Sequence, residues 1–314
     1  MSTLRRSGPS PTTTDTDAAR TRAILRRLEL DVTRRLDGLL QGDYRGLVPG
    51  LGSEPGETRA YSAGDDVRRM DWNVTARMNE PHVRESIADR ELETTVLVDL
   101  SPSLDFGTVR QTKAELATAA VAAIGLLTDR AGNRLGAIVN DGARLHDIRP
   151  GSGRRHLMSV LHRLATTVPQ PGDSALVEGL HRLAGPGHRG GLAVVVSDLL
   201  RPGWSSALRT VTLRHETLVI EIVDPRELEL PDVGLVDLVD ARTGRLVEVD
   251  TRSAKVRARF AEAGRARLDE HAHDVRAARA DHLVLRTDRD WVLDLAKFVD
   301  RRRRRRHLIA GAVA

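Results

Sequence analysis

The sequence predicts an α/β protein built on a doubly wound, mostly parallel β-sheet with flanking helices. Between residues 91 and 223, continuous apolar runs of strand length alternate with helical patterns. Such uninterrupted strands are typical of parallel sheets, because helices cover both faces of a parallel sheet. Two of the runs end at an aspartate, Asp99 and Asp198. The pattern therefore predicts two carboxylates at the carboxyl edge of the sheet, where open α/β sheets bind ligands.

The composition sets limits on the class of protein. The chain has 314 residues and no cysteine, which excludes disulfides, thiolate metal sites and cysteine nucleophiles. It has no signal-peptide pattern and no apolar run of about eighteen residues, the length that a membrane helix requires. We therefore expect a cytoplasmic protein. Aromatic residues make up 3% of the chain, too few for a stacking platform that binds single-stranded nucleic acid.

The amino-terminal part divides into two regions. Residues 1–20 are rich in Ser, Thr, Pro and charge, and we expect them to be disordered. Residues 21–90 begin with an amphipathic helix over 21–40, which should pack on the main body or dock on a partner. A dense polar segment and a small amount of β structure follow this helix.

The polar segment, residues 59–84, mixes aromatic side chains with opposite charges and predicts a fixed network. One interpretation is a surface that recognises a partner. The alternative is that aspartates and arginines pair internally and hold the loop. The candidate partner-binding residues are Asp65, Arg68, Asp71, Trp72 and Arg77.

Residues 91–230 are predicted to form the α/β domain itself. After the turn at Asn140-Asp141-Gly142, residues 143–148 are expected either to pair with the preceding strand or to extend it. The predicted strands cover residues 94–99, 133–140, 143–148, 191–200 and 216–223. The predicted helices cover residues 109–130, 154–165, 174–183 and 204–213.

After residue 230 the alternation breaks. Residues 233–239 and 245–249 predict a β-hairpin, and a long charged helix is expected over 251–280. A short strand at 282–287 and a helix at 290–304 complete the prediction. We therefore expect residues 231–300 to form a hairpin and a helical extension.

The final residues, 301–314, are predicted to be a basic tail that begins with the run Arg301 to Arg306. The chain has a net charge of +5, and this run supplies much of it. Such a run can contact nucleic acid or an anionic membrane. The interpretation that we favour is a solvated tail that improves solubility.

The strongest candidate site follows the first predicted strand of the α/β domain. Asp99, Ser101 and Ser103 place three oxygen donors on one tight loop. Hard oxygen donors of low total charge suit Mg²⁺, which keeps part of its water shell and can take its last ligand from a partner. The alternative is that Ser101-Pro102-Ser103 caps the next helix.

The order of these motifs resembles the von Willebrand factor A fold and its metal-ion-dependent adhesion site. In that family an Asp-x-Ser-x-Ser motif is completed by a Thr on a second loop and by an Asp after a later strand. The resemblance implies a Mg²⁺ or Mn²⁺ site, with Asp173 as the alternative to Ser174 at the Thr position. The implied ligands are Asp99, Ser101, Ser103, Ser174 and Asp198.

The polar segment adds a second resemblance. Residues 61–77, which read YSAGDDVRRMDWNVTAR, are similar to the hallmark of the DUF58 family. Members of that family carry this stretch just ahead of a von Willebrand factor A-like domain. The resemblance implies a partnership with a MoxR-type AAA+ ATPase in assembling or activating a client protein, which the sequence does not identify.

The sequence supports two functional hypotheses. The first is a non-enzymatic, metal-dependent protein-binding module that acts as an adaptor or co-chaperone. The second is a metal-assisted hydrolase of phosphate esters, with Asp99 as nucleophile or metal ligand. Against the hydrolase, position 101 is a serine where a second acid would be expected, and no histidine has an evident general-base position. We therefore expect no enzymatic activity and no small-molecule substrate.

Overall fold

A computed structural model describes residues 13–40, 58–62, 70–78, 80–84, 93–172, 175–187, 191–239 and 246–313. The helices are α1 (Thr13–Leu40), α2 (Trp72–Met78), α3 (Lys113–Arg130), α4 (Arg154–Ala165), α5 (Leu176–Leu183), α6 (Trp204–Thr212), α7 (Ala254–Ala277) and α8 (Trp291–Val313). The strands are β1 (Thr58–Ala60), β2 (His82–Arg84), β3 (Glu93–Asp99), β4 (Arg134–Asn140), β5 (Leu145–Gly151), β6 (Gly191–Ser197), β7 (Glu216–Val223), β8 (Leu235–Val239), β9 (Leu246–Asp250) and β10 (Asp281–Arg286).

The core is a six-stranded sheet in the order β10-β7-β6-β3-β4-β5. All neighbouring strands are parallel except β5, which runs antiparallel to β4 at one edge. Strand β3 lies in the interior, and all seven of its residues are buried. The parallel pairing sets Asp99 beside Asn140 of β4. The predicted fold class, a mostly parallel α/β sheet with flanking helices, is confirmed.

Helices cover both faces of this sheet. Alternate residues of a strand point to opposite faces, so Val96 and Val98 pack in one core and Leu97 packs in the other. The first core also contains buried residues of α1, α3, α4 and α8, and the second contains residues of α5, α6 and α7. This arrangement explains the uninterrupted apolar strands of the sequence.

Helix α1 packs on the main body, as its amphipathic pattern predicts. Leu25, Val32 and Leu36 are buried against the first core. The buried Glu29 also accepts hydrogen bonds from Arg154 of α4 at 2.6 and 3.0 Å. The helix begins at Thr13 and so includes part of the stretch that was expected to be disordered. Residues 1–12 lie outside the described part of the chain.

The carboxyl-terminal part belongs to the central sheet more closely than the sequence suggests. The predicted hairpin is confirmed as the antiparallel pair β8 and β9. Strand β10, however, pairs in parallel with β7, and residues 291–299 of α8 pack in the first core. An edge of β7 without a neighbour would leave backbone groups unpaired, and β10 satisfies them. Residues 281–299 therefore contribute an edge strand to the central sheet and a helix that packs on it.

The expected basic tail is helical. Helix α8 continues through the arginine run to Val313. Arg302 is 2% exposed, and its guanidinium contacts Glu216 of β7 at 2.5 Å and Asp281 of β10 at 2.8 Å. The run is therefore not a freely solvated segment, because one of its arginines anchors α8 to the sheet. Among the residues that the structure describes, every helix is too short or too polar to span a lipid bilayer.

Candidate functional site

Strand β3 delivers Asp99 to the carboxyl edge of the sheet, where the side chain is 1% exposed. One carboxylate oxygen, Oδ1, accepts the backbone N–H of Ser101 at 3.1 Å and the Asn140 Nδ2 amide at 3.0 Å. The other, Oδ2, accepts the Ser197 hydroxyl at 2.9 Å. Asn140 ends β4 and Ser197 ends β6, so the two neighbouring strands fix the orientation of this carboxylate.

The serines of the loop lie next to each other, with 3.2 Å between the hydroxyl oxygens of Ser101 and Ser103. Ser101 is buried and precedes a short 3₁₀ helix, Pro102–Leu104, but its side chain makes no capping hydrogen bond. The following helix, α3, is capped by Thr112 and Glu115 instead. Helix capping therefore does not explain the two serines.

Asp198 follows β6 and carries a counter-ion that the sequence did not predict. The fully buried Lys113, the first residue of α3, places its Nζ 2.8 Å from Asp198 Oδ2 and 2.6 Å from Glu227 Oε1. Burial lowers the pKa of Lys113, but the two carboxylates outweigh burial and hold the pKa above its usual value. The ammonium is therefore shared by Asp198 and Glu227 and compensates their two negative charges only in part.

Asp99 has no such counter-ion among the described residues. Its burial raises the pKa to about 6, and the negative charge of Asp198 acts in the same direction. Hydrogen bonds from Ser101 and Ser197 oppose the rise but do not cancel it. Asp99 is therefore a buried carboxylate whose hydrogen-bond donors, an amide, a backbone N–H and a hydroxyl, are all neutral.

These contacts define which predicted ligands fit a divalent cation. The carboxylate of Asp99 and the adjacent hydroxyls of Ser101 and Ser103 form a set of hard oxygen donors of low charge, which suits Mg²⁺. Asp198 is less available, because Oδ2 contacts Lys113 and Oδ1 accepts the Leu200 N–H at 3.3 Å. The described residues hold no group of three or more His, Cys, Asp or Glu that could bind a metal.

The structure describes only part of the predicted second loop. Ser174 and its alternative, Asp173, lie outside the described residues. The neighbouring Ala175 donates its N–H to Asn140 Oδ1 at 3.4 Å, and Asn140 in turn contacts Asp99. Ala175 therefore lies close to the candidate site.

A rim of exposed apolar side chains belongs to the loops at this edge. Phe106 and Val109 are 41% and 55% exposed on the loop after β3, Val168 is 67% exposed after α4, and Leu200 is 38% exposed after β6. Two of these loops meet, since Arg201 donates to the Gly172 carbonyl at 2.9 Å. A buried carboxylate at a sheet edge whose loops expose apolar side chains is a pattern that suits a protein partner.

The loops after β4 and α4 pack closely because position 142 is a glycine. The backbone N–H of Gln170 donates to the Asp141 carbonyl at 2.6 Å, so the loop after α4 contacts the turn after β4. Gly142 in that turn has a φ of +106°, and a side chain there would lie 2.2 Å from the Gln170 carbonyl oxygen. The glycine that predicts a turn in the sequence therefore also allows the loops after β4 and α4 to approach each other closely.

The polar segment is held by local hydrogen bonds. Asp71 is buried and accepts the N–H groups of Asn73 at 3.1 Å and Val74 at 3.2 Å, so it caps α2 and braces the loop. Trp72 is 70% exposed, and Arg77 is also exposed. Asp65 and Arg68 lie outside the described residues. Of the described candidates, Trp72 and Arg77 present the accessible surface.

Sequence reasoning missed four residues of the site: Lys113, Asn140, Ser197 and Glu227. Asn140 and Ser197 were detectable in principle, because each lies at the end of a strand that neighbours β3. Lys113 carries a weaker signal, as one of three lysines in a chain rich in arginine. Nothing local marks Glu227 as the second partner of this lysine, which is 114 residues away.

Comparisons with solved structures give similarities of low sequence identity. An aerotolerance-related membrane protein from Bacteroides fragilis is 16% identical with a TM-score of 0.44, and covers 68% of this chain and 99% of its own. The protein BatB from Bacteroides thetaiotaomicron is 15% identical with a TM-score of 0.42, over 67% and 98% of the two chains. A von Willebrand factor type A protein from Catenulispora acidiphila is 14% identical with a TM-score of 0.37, over 70% and 43%.

Relatives found by sequence comparison have a much higher sequence identity to this chain. Uncharacterized proteins of Mycobacterium tuberculosis and Mycobacterium bovis are each 49% identical over 302 residues, which is 94% of this chain and 94% of theirs. The family described as "Protein of unknown function DUF58" matches residues 57–270. This span includes the polar segment, β3 with its Asp-x-Ser-x-Ser loop, Lys113, Asp198 and Glu227. The chain therefore belongs to the DUF58 family.

Proposed function

We propose that this protein is an interaction module that binds a protein partner at the carboxyl edge of its sheet. The observation that carries the proposal is Asp99, a buried carboxylate without a cationic partner in the described residues. Ser101 and Ser103 lie on the loop that follows it, and the loops at this edge expose apolar side chains. The rim offers apolar area for binding, and the polar centre offers specificity. The proposal assigns no enzymatic activity to the protein.

The proposal includes a divalent cation, Mg²⁺ or Mn²⁺, at this centre. Asp99, Ser101 and Ser103 would hold it, and Ser174 or Asp173 would complete the set from the second loop. The cation would supply a position at which a carboxylate of the partner can bind, since a hard anion suits a hard cation. Asp198, already paired with Lys113, would act on the site through its charge.

The proposed partner is a MoxR-type AAA+ ATPase, with a client protein that the two would assemble or activate together. This part of the proposal depends on the resemblance of residues 61–77 to the family hallmark. The exposed Trp72 and Arg77 offer a second contact surface for either protein. The cytoplasm stays the predicted compartment, on the absence of cysteine.

The competing hydrolase gains no support from the geometry. Both oxygens of Asp99 accept hydrogen bonds from Ser101, Asn140 and Ser197, which reduces the nucleophilicity of the carboxylate. The histidine at this edge, His146, contacts Asp141 at 2.8 Å rather than Asp99. The protein-interaction module is therefore the one function that we propose.

Calorimetric titration of the full chain with MgCl₂ and MnCl₂ tests the metal part of the proposal. We expect saturable binding by the parent and at least a tenfold loss of affinity in Asp99→Asn, which keeps the size of the side chain and removes its charge. Asp105→Asn is the matched control, because Asp105 is an exposed carboxylate on the same loop. Equal binding by all three proteins would contradict a cation at Asp99.

Co-purification tests the partner. A MoxR-type ATPase from the same genome should bind the parent in Mg²⁺ and release it in EDTA. Binding should fall at least tenfold when the rim is made polar by Phe106→Ser and Val109→Ser together. If these substitutions leave the complex intact while Trp72→Ala abolishes it, the partner uses the polar segment and the proposed edge is wrong.

A further inference from the structure

A cavity lies at the amino-terminal edge of the sheet, opposite the edge that carries the candidate site. Its volume is about 650 Å³. It is bounded by the end of α6, the first residues of β7 and β10, the end of α7 and the arginine run of α8. Its charged lining residues are Glu216, Arg276, Arg279, Asp281, Arg302 and Arg305.

The two acids of this cavity are already paired. Arg302 contacts both Glu216 and Asp281, and Arg305 also donates to Asp281. These pairs form the floor of the cavity, since Arg302 is almost fully buried and Asp281 lies at the start of β10. Two arginine charges are therefore balanced by two carboxylates.

Two further arginines line the same cavity. Arg276 lies in the last turn of α7 and Arg279 follows the end of that helix, and both are exposed. Neither has an ion pair with an acid in the described part of the chain. Arginines near a helix carboxyl terminus are stabilising in themselves, but by a small amount that solvent screens. That effect does not require both guanidiniums to border one cavity, where their like charges repel each other.

The surplus of two positive charges indicates the class of ligand. A guanidinium presents parallel N–H donors that match two oxygens of a phosphate group, and two guanidiniums match the charge of a phosphate dianion. The described lining contains no Phe, Tyr or Trp on which a nucleobase could stack. The features therefore favour recognition of phosphate groups over recognition of bases.

We propose that the cavity at the amino-terminal edge is a binding site for a small phosphate-bearing anion, held chiefly by Arg276 and Arg279. The buried ion pairs of Arg302 would position the floor, and Arg305 would stand at the side of the ligand. The site is independent of the proposed cation and protein partner. It also gives the arginine run a role in a defined pocket rather than in a solvated tail.

The test is calorimetric titration of the full chain with sodium phosphate and with sodium pyrophosphate at constant ionic strength. We expect saturable binding of one ligand per chain. The double substitution Arg276→Gln with Arg279→Gln should weaken binding at least tenfold. The matched control is Arg259→Gln with Arg265→Gln, which removes two exposed arginines from the same helix outside the cavity. This control should change the affinity less than twofold.

Three outcomes would overturn the proposal. The first is the absence of saturable binding of either anion by the parent. The second is an equal loss in both double variants, which would indicate general electrostatic attraction. The third is binding of single-stranded DNA without binding of small phosphates, which would indicate a nucleic-acid surface. Thermal unfolding midpoints should match the parent in both double variants, because all four side chains are exposed.

Discussion

Two buried carboxylates of the central sheet, Asp99 on β3 and Glu221 on β7, have the same exposure but opposite surroundings. Each is 1% exposed, and both oxygens of each accept hydrogen bonds. The donors to Glu221 are imidazole nitrogens, from His271 at 2.7 Å and His282 at 2.9 Å. The donors to Asp99 are groups that cannot carry a positive charge.

The difference in donors decides the difference in pKa. Burial raises the pKa of Glu221, but the hydrogen bonds and charges of His271 and His282 reverse this effect and leave the pKa below its usual value. Burial also raises the pKa of Asp99, and the charge of Asp198 adds to the rise, which reaches about 6. Glu221 on β7 thus binds side chains of α7 and β10. Asp99 has no positively charged partner among the described residues, so an incoming cation would stabilise its ionised form.

The largest predicted effect comes from removing the buried cation that Asp198 and Glu227 share. Lys113→Met should destabilise the protein by about 3–5 kcal/mol at neutral pH, because Asp198 and Glu227 would lose the ammonium that they share. Urea unfolding measures the change. Lys255→Met is the control, since Lys255 is exposed, and should change stability by less than about 0.5 kcal/mol. A cost below about 1 kcal/mol for Lys113→Met would show that this cluster is well solvated.

A smaller effect of opposite sign is expected at Asp99 itself. Its folded pKa of about 6 lies above the ordinary 3.8, so its stabilising contribution is complete below pH 3.8 and is lost as the pH rises through 6. Without added metal, Asp99→Asn should therefore stabilise the protein by about 2–3 kcal/mol above pH 7. The gain should vanish near pH 4. Urea unfolding of both proteins across this pH range would contradict the assignment if the gain were independent of pH.

The smallest predicted effect is at Glu221, and its pH dependence runs the other way. The lowered pKa of Glu221 gives stability that is present above its ordinary value of 4.5 and is lost as the pH falls through the folded value. Glu221→Gln should cost about 1–2 kcal/mol at pH 7, because a neutral amide replaces a charged acceptor of two hydrogen bonds. The cost should shrink below pH 4.5 in the same unfolding series. A variant as stable as the parent at pH 7 would mean that the histidines do not stabilise this carboxylate.

Much of the fold was predictable because its signals are local. The apolar strands, the antiparallel edge strand after the Asn140 turn and the β8–β9 hairpin all follow from short patterns of periodicity and turn residues. The position of β10 was not predictable in this way. Its sequence indicates a strand, but its pairing with β7 depends on where the chain returns after α7.

The shared loop of Asp99, Ser101 and Ser103 follows from the sequence alone, because three donors within five residues remain neighbours in any fold that ends a strand there. The pairing of charges, in contrast, depends on the folded arrangement of distant segments. Lys113 meets Asp198 across 85 residues, and Glu221 meets His271 across 50. Burial makes these pairs strong, and burial follows from strand order and helix packing rather than from local spacing. For this reason, two carboxylates that look alike in the sequence have opposite electrostatic surroundings in the folded protein.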